Sequence, residues 1–190
     1  PLDGRYASSV NDLSPYFSEM ALMQYRLKVE VEYLIALGNE KSIKDLPAFS
    51  KDEQTRLRKI YQNFNSAGAE KIKEIEATTN HDVKAVEYYI QSKVKKALHS
   101  WIHFALTSED VNNLSYTLMW QNGLKQVYLP ALQSVNGELK KMARSYKNES
   151  MLSMTHGQPA TPTTFGKELS VFSRRLDRQI KQIKSHSMLG

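Results

Sequence analysis

Residues 108–146 read SEDVNNLSYTLMWQNGLKQVYLPALQSVNGELKKMARSY, and this stretch decides the fold class. Leu114, Leu118, Leu124, Tyr128, Leu132, Val135, Leu139 and Met142 recur at the mixed spacing that lines one face of a helix. Thr107 and Ser108 supply hydroxyls that can cap the helix start, and Glu109 and Asp110 sit in the first turn, where the helix dipole favours negative charge. Pro130 lies inside the pattern. It lacks a backbone donor and crowds the preceding turn, so it predicts a bend.

Downstream, Lys147 to Thr161 reads as a loop, and Thr161-Pro162 offers an N-cap followed by proline at the first helical position. Phe165, Leu169, Phe172, Leu176, Ile180 and Ile183 then form a bundle-like seam on a final helix. Upstream, Ser14-Pro15 opens a helix expected to end near Gly38, with Phe17, Met20, Ala21, Tyr25, Leu27, Val31 and Leu34 as its apolar positions. Lys51 to Glu76 is expected to be helical with an interruption around Gly68. Val83, Val86, Tyr89, Ile90 and Val94 mark a further helix, capped by Asn80 or Asp82. The chain therefore reads as all-α, with a smaller helical domain over residues 1–98 and the first part of a long-helix bundle over 99–190. Two long seams exceed what one short chain can cover, so self-association or further helices are expected to complete them.

Composition supports this class. Eight Gly and six Pro in 190 residues leave few breakers, and 41% hydrophobic with 24% charged content is ordinary for a globular protein. The absence of Cys excludes disulfides and thiolate metal sites. No apolar run reaches the roughly twenty residues that span a bilayer, and the N-terminal residues contain no signal-peptide core, so a cytoplasmic location is expected. Net charge is +6, with residues 1–80 holding 11 Lys/Arg against 12 Asp/Glu and residues 81–190 holding 15 against 8. Such a basic half suits nucleic acid, an anionic membrane surface or small polyanions such as nucleotides and dicarboxylates equally well. Phosphate-binding GxxxxGK[ST] and GxGxxG loops are missing.

Four polar clusters sit at expected element boundaries, where backbone donors are also free: Asp3-Gly4-Arg5-Tyr6, Asn80-His81-Asp82, Thr107-Ser108-Glu109-Asp110 and Thr155-His156-Gly157-Gln158-Pro159. Each alone has a plain structural explanation as a turn or cap. His156 is the most chemically suggestive, because Gly157 and Pro159 constrain the backbone around an imidazole able to act as acid or base. His99 and His103 are four apart but lack a third ligand, so neither a metal nor another cofactor is expected. Lys167, Arg174, Arg178 and Lys181 read as the solvated face of the last helix.

Taken in order, the clusters resemble the fumarase/aspartase superfamily, and within it the adenylosuccinate lyases, through Asp3-Gly4-Arg5-Tyr6, the run from Thr78 to Glu87, the run from Thr107 to Asn113, and Thr155-His156-Gly157-Gln158-Pro159-Ala160-Thr161-Pro162. The resemblance implies a helical enzyme of purine and AMP biosynthesis that eliminates fumarate, without a cofactor, from a nucleotide substrate in a homotetramer whose sites are shared between subunits. It implies that Arg5 and Tyr6 hold the phosphate end, that Asn80, His81 and Asp82 line the pocket, and that Thr107 and Ser108 bind a succinyl carboxylate. By the same resemblance His156 is the general acid, with Thr155 and Gln158 shaping its loop and touching substrate. The catalytic base of that family is a Ser in a Gly-Ser-Ser-x-Met-Pro-x-Lys-x-Asn loop, and these 190 residues contain no such stretch. An inactive N-terminal part of a longer enzyme is therefore expected. Argininosuccinate lyase, a non-catalytic helical assembly module and a basic nucleic-acid scaffold are the alternatives.

Overall fold

The computed structural model describes residues 4–189, so Asp3 of the first cluster lies outside the described residues. The fold is all-α apart from one β-hairpin and forms two compact units, one running to Gly123 and the other spanning Leu124–Leu189.

The first unit is organised around α2 (Glu19–Asn39), which follows a short α1 (Ser14–Phe17) and is capped by Ser18, whose hydroxyl accepts from the Ala21 N–H. Leu27, Val31 and Leu34 are essentially inaccessible and form one stripe, while Met23, Ile35 and Leu37 extend burial around the helix. Around it pack α3 (Lys51–Gln62), α4 (Ser66–Thr79), α5 (Asp82–Gln91) and α6 (Ser108–Gly123). Leu57, Ile72, Val86, Ile90 and Ile102 close the core, each contributing about 1.5–3 kcal/mol by leaving water.

The break expected at Gly68 falls instead at Asn63–Asn65, because the Asn65 side chain caps α4 by accepting from the Gly68 N–H at 3.1 Å. Gly68 has a packing role: a Cβ there would meet the Phe64 ring at 2.8 Å and the Tyr89 hydroxyl at 2.9 Å. Likewise α5 is capped by His81 rather than by Asn80 or Asp82, with Nδ1 accepting from the Lys84 N–H.

The second unit begins with a π-helical turn over Leu124–Tyr128, followed by α7 (Leu129–Ser145) with Pro130 in its first turn. The π-helical turn lies just before Pro130, the position where the sequence predicts a bend. Strands β1 (Ser150–Thr155) and β2 (Gln158–Thr164) form an antiparallel hairpin where a loop was expected. The last helix, α8 (Phe165–Ser185), accordingly starts at Phe165 and not at Pro162. Three threonines near this start offer caps, and the hairpin register selects Thr164: its hydroxyl accepts from the Lys167 N–H, while Phe165 and Gly166 donate to Glu149 and Tyr146 carbonyls.

Helices α7 and α8 pack through a polar seam as much as an apolar one. Ser173 donates to Asn136, and Asn136 and Lys140 both donate to Asp177, whose carboxyl is held below its usual range chiefly by Lys140. Of the expected α8 seam only Ile180 is buried, while Phe165 and Phe172 are exposed. Lys167, Arg174, Arg178 and Lys181 are exposed, as the sequence pattern predicts. Among the described residues no helix is long and apolar enough to cross a membrane.

Candidate active site

Two of the polar clusters are tied together through α2. Asn80 ends α4 in the left-handed conformation (φ 51°), which turns the chain so that His81 becomes the N-cap of α5. With His81 Nδ1 accepting the Lys84 N–H at 3.2 Å, the neutral ring carries its proton on Nε2, which is left as a donor on a half-exposed side chain. Asp82 spends one carboxylate oxygen on the Val83 N–H at 2.9 Å and the other on Arg26 Nη2 at 2.6 Å. Burial works against the Asp82 charge, but Arg26 and the Val83 amide outweigh it and lower the carboxyl pKa.

Arg26 is itself buried, at 4% exposure, and its Nε donates to Asn112 Oδ1 at 2.9 Å in the first turns of α6. One guanidinium therefore joins the His81-Asp82 turn to the Thr107-to-Asn113 segment, with its planar fork satisfied at both ends. One turn further along α2, Glu30 holds the chain leading into α6. The Glu30 carboxylate accepts from the His103 N–H at 3.2 Å and lies 2.5 Å from His103 Nδ1. Burial pushes the Glu30 carboxyl up against the opposing pull of His103. His103 and Ala105 both have positive φ (60° and 58°), an uncommon conformation for such residues that these bonds hold in place. This occupies His103, one of the two histidines of the His99/His103 spacing.

Thr107 and Ser108 sit where α6 begins. The Thr107 N–H and hydroxyl both donate to Asp110, at 2.6 and 2.8 Å, and these bonds lower the Asp110 pKa. Ser108 opens a helix of 16 residues, so its surroundings combine a hydroxyl, first-turn amides and the positive end of the helix dipole. Arg5 and Tyr6 are exposed and stack on each other, the guanidinium 5.5 Å from the ring centroid. Among the described residues no hydrogen bond or ion pair links them to the other clusters.

In the second unit the hairpin presents Thr155, His156 and Gln158. His156 (φ 49°) and Gly157 (φ 75°) occupy the two-residue turn, and Thr155 pairs with Gln158 to close it. Two positive φ values in succession are what a tight hairpin matched to strand twist requires. The imidazole thus stands exposed at the tip, with no side-chain hydrogen bond among the described residues. Sequence reading missed Arg26, Glu30 and the hairpin itself. The available signal was slight: Arg26 and Glu30 stand four residues apart on one helix face, in a run from Met23 to Leu37 that also holds Gln24, Lys28 and Glu32.

A model of the family described as Lyase matches residues 4–188. The chain belongs to this lyase family. It is 47% identical over 188 residues to adenylosuccinate lyase of Legionella pneumophila, covering 96% of this chain and 41% of the relative. It is 46% identical to that of Haemophilus influenzae over 100% of this chain and 43% of the relative, and 47% identical to that of Dictyostelium discoideum over 97% and 41%. The chain thus spans about two fifths of the length of these curated relatives. Among solved structures it is similar in fold to a fumarate lyase from Mesorhizobium sp. BNC1, with a TM-score of 0.74 at 19% identity, covering 92% of this chain and 39% of that one. A β-carboxy-cis,cis-muconate cycloisomerase from Acinetobacter calcoaceticus superposes with a TM-score of 0.72 at 18% identity, covering 95% of this chain and 42% of that one. The all-α expectation holds, and so does the resemblance to adenylosuccinate lyases.

Proposed function

We propose that the full-length protein is an adenylosuccinate lyase, a homotetrameric cytoplasmic enzyme that releases fumarate from adenylosuccinate to give AMP, and from succinylaminoimidazole carboxamide ribonucleotide to give its carboxamide product. The observation that carries this reading is the run of 44–47% identical adenylosuccinate lyases aligned over essentially the whole chain. In the whole protein, residues 1–98 form the N-terminal helical domain and 99–190 open the central long-helix domain.

The chemistry is an elimination. A base removes the proton from the carbon beside a succinyl carboxylate, charge builds on that carboxylate, the C–N bond breaks, and an acid protonates the departing nitrogen. His156 is the acid, and its place at an exposed hairpin tip lets it reach a substrate held elsewhere. Thr107 and Ser108, at the start of α6, receive a succinyl carboxylate. For Thr107 this means its hydroxyl exchanges Asp110 for the ligand. His81 offers its Nε2 proton to an anionic oxygen, and Asn80 and Asp82 wall the same pocket. Arg5 and Tyr6 hold the phosphate, and Thr155 and Gln158 contact substrate beside His156. The base belongs to a serine loop that the 190 residues do not contain, and no metal or cofactor enters the scheme.

The test is fumarate release by the full-length protein from adenylosuccinate and from argininosuccinate, followed by ultraviolet absorbance. Turnover of adenylosuccinate alone supports the reading. Turnover of argininosuccinate alone moves the protein to a sister lyase, and turnover of neither overturns the assignment.

A further inference from the structure

We propose that the concavity between α3, α4 and α5 is a separate binding site for a phosphate-bearing small molecule. It encloses about 520 Å³, within the range of roughly 300–1,000 Å³ typical of small-molecule sites. Arg56 and Lys59 of α3, Lys71 of α4 and Lys93 just beyond α5 line it, and no carboxylate does. Lys71 reaches Glu74 at 2.7 Å on exposed side chains, whereas Arg56, Lys59 and Lys93 have no ion pair within 4.0 Å among the described residues. Four cations facing one recess repel each other, and an oxyanion placed among them relieves that repulsion.

A second observation is independent of charge. Tyr89 lines the same recess with most of its side chain buried, and its hydroxyl, which keeps contact with solvent, makes no hydrogen bond to another described residue. Burial raises the phenol pKa, so at neutral pH the group keeps its proton and is a donor awaiting an acceptor. The hydroxyl opens on the recess, where a ligand oxygen would take the place of water. Gly68 leaves room for it, since a Cβ at that position would lie 2.9 Å from the Tyr89 oxygen. Lys93 stands over the Tyr89 ring, 5.2 Å from the centroid, so the hydroxyl and an ammonium serve the same space.

An adjoining recess of about 210 Å³ shares Arg56, Ile60 and Lys93 with the first and is walled by Phe49, Leu57 and Leu98. Its one carboxylate, Glu53, is committed to the Ser50 backbone and hydroxyl in a capping box. The pair of recesses therefore fits a molecule with an anionic phosphate end and an apolar ring, as a nucleotide has. None of these residues belongs to the candidate catalytic loops, and the proposal does not rest on the lyase assignment.

The experiment is calorimetric titration of the full-length protein with inorganic tripolyphosphate and with ATP, in the wild type, Arg56→Ala/Lys59→Ala and Tyr89→Phe. The altered cations are exposed, and circular dichroism checks that each variant is folded. The expected result is saturable binding, tighter for ATP than for tripolyphosphate, weakened at least ~10-fold by removing the two cations and ~3–10-fold by removing the hydroxyl. Fumarate release by the double variant stays at the wild-type rate, which separates this site from the catalytic one whatever the true substrate proves to be. No saturable binding, or equal affinity in the wild type and the double variant, overturns the proposal. Unchanged affinity in Tyr89→Phe overturns it as well, because only the general attraction of a basic face remains.

Discussion

The two units of this chain solve the burial of apolar surface in opposite ways. The first wraps α2 on several sides, and every member of the main core cluster lies between Met23 and Ile102. The second is a helix pair with a hairpin, and its buried positions are Asn136, Gly166, Ser173 and Ile180, only one of them a large apolar side chain. Val135, Met142, Phe172 and Met154 remain between 39% and 60% exposed there. The difference teaches that a strong hydrophobic period marks a helix without saying what covers it. In α2 the period is blurred because burial is nearly all-round; in α8 it is sharp because burial is confined to a few positions such as Gly166, Ser173 and Ile180.

The largest test of that contrast separates the units. A chain of residues 4–123 is expected to unfold in urea as one cooperative transition, whereas residues 124–189 alone are expected to show none. A cooperative transition in the second piece would break the comparison. Within the first unit, Leu27→Ala or Leu34→Ala should cost about 2–5 kcal/mol in urea unfolding, against about 0.5 kcal/mol or less for Val135→Ser on the exposed seam. Equal losses would mean that the seam is already covered.

Intermediate in size is Arg26→Met, which strips Asp82 and Asn112 of a buried partner. Because Asp82 is half exposed, the cost should fall between surface and fully buried pairs, about 2–3 kcal/mol. In the full-length protein fumarate release should fall with it. Gly166→Ala should destabilise the second unit by a similar ~1–3 kcal/mol, since a Cβ there overlaps the Ala143 carbonyl and the Lys147 backbone. A neutral outcome would show that α8 is free to shift on α7.

The smallest effect is a pH dependence. Glu32 is bonded to Arg58 and Tyr61 at 2.8–2.9 Å, and Arg58 chiefly lowers its pKa below the ordinary 4.5. A lowered carboxylate contributes stability that is present above its unfolded pKa and lost as pH falls through its lower folded one. Thermal unfolding of Glu32→Gln should therefore match wild type more closely near pH 3 than at pH 6. A constant gap across that range would contradict the assignment.

Much of this was legible in residue pattern, and the failures share one cause. Helix α2 ends at Asn39 beside the predicted Gly38; the seam predicted for one helix from Leu114 to Met142 is divided among α6, the π-helical turn and α7, and α8 carries the other. Thr161-Pro162 was read as a helix start because the local chemistry permits it, but Pro162 pairs with Leu152 in the hairpin and passes the cap to Thr164. The sequence marks His81 as a pocket-lining residue and Asn80 or Asp82, residue types that favour caps, as the helix cap, but the structure gives the cap to His81. Arg26 and Glu30 acquire meaning only when α5, α6 and the turn at His103 fold against α2. Local signals are thus reliable for where helices run, while the ties that assemble a site depend on contacts between distant segments.

The proposed function rests most heavily on His156 as the acid that protonates the departing nitrogen. Steady-state fumarate release by full-length His156→Ala tests it most directly. The account predicts that kcat falls by about 10²–10⁴-fold, the usual contribution of a positioned acid, while KM stays within a few-fold of wild type. A kcat within twofold of wild type would contradict it.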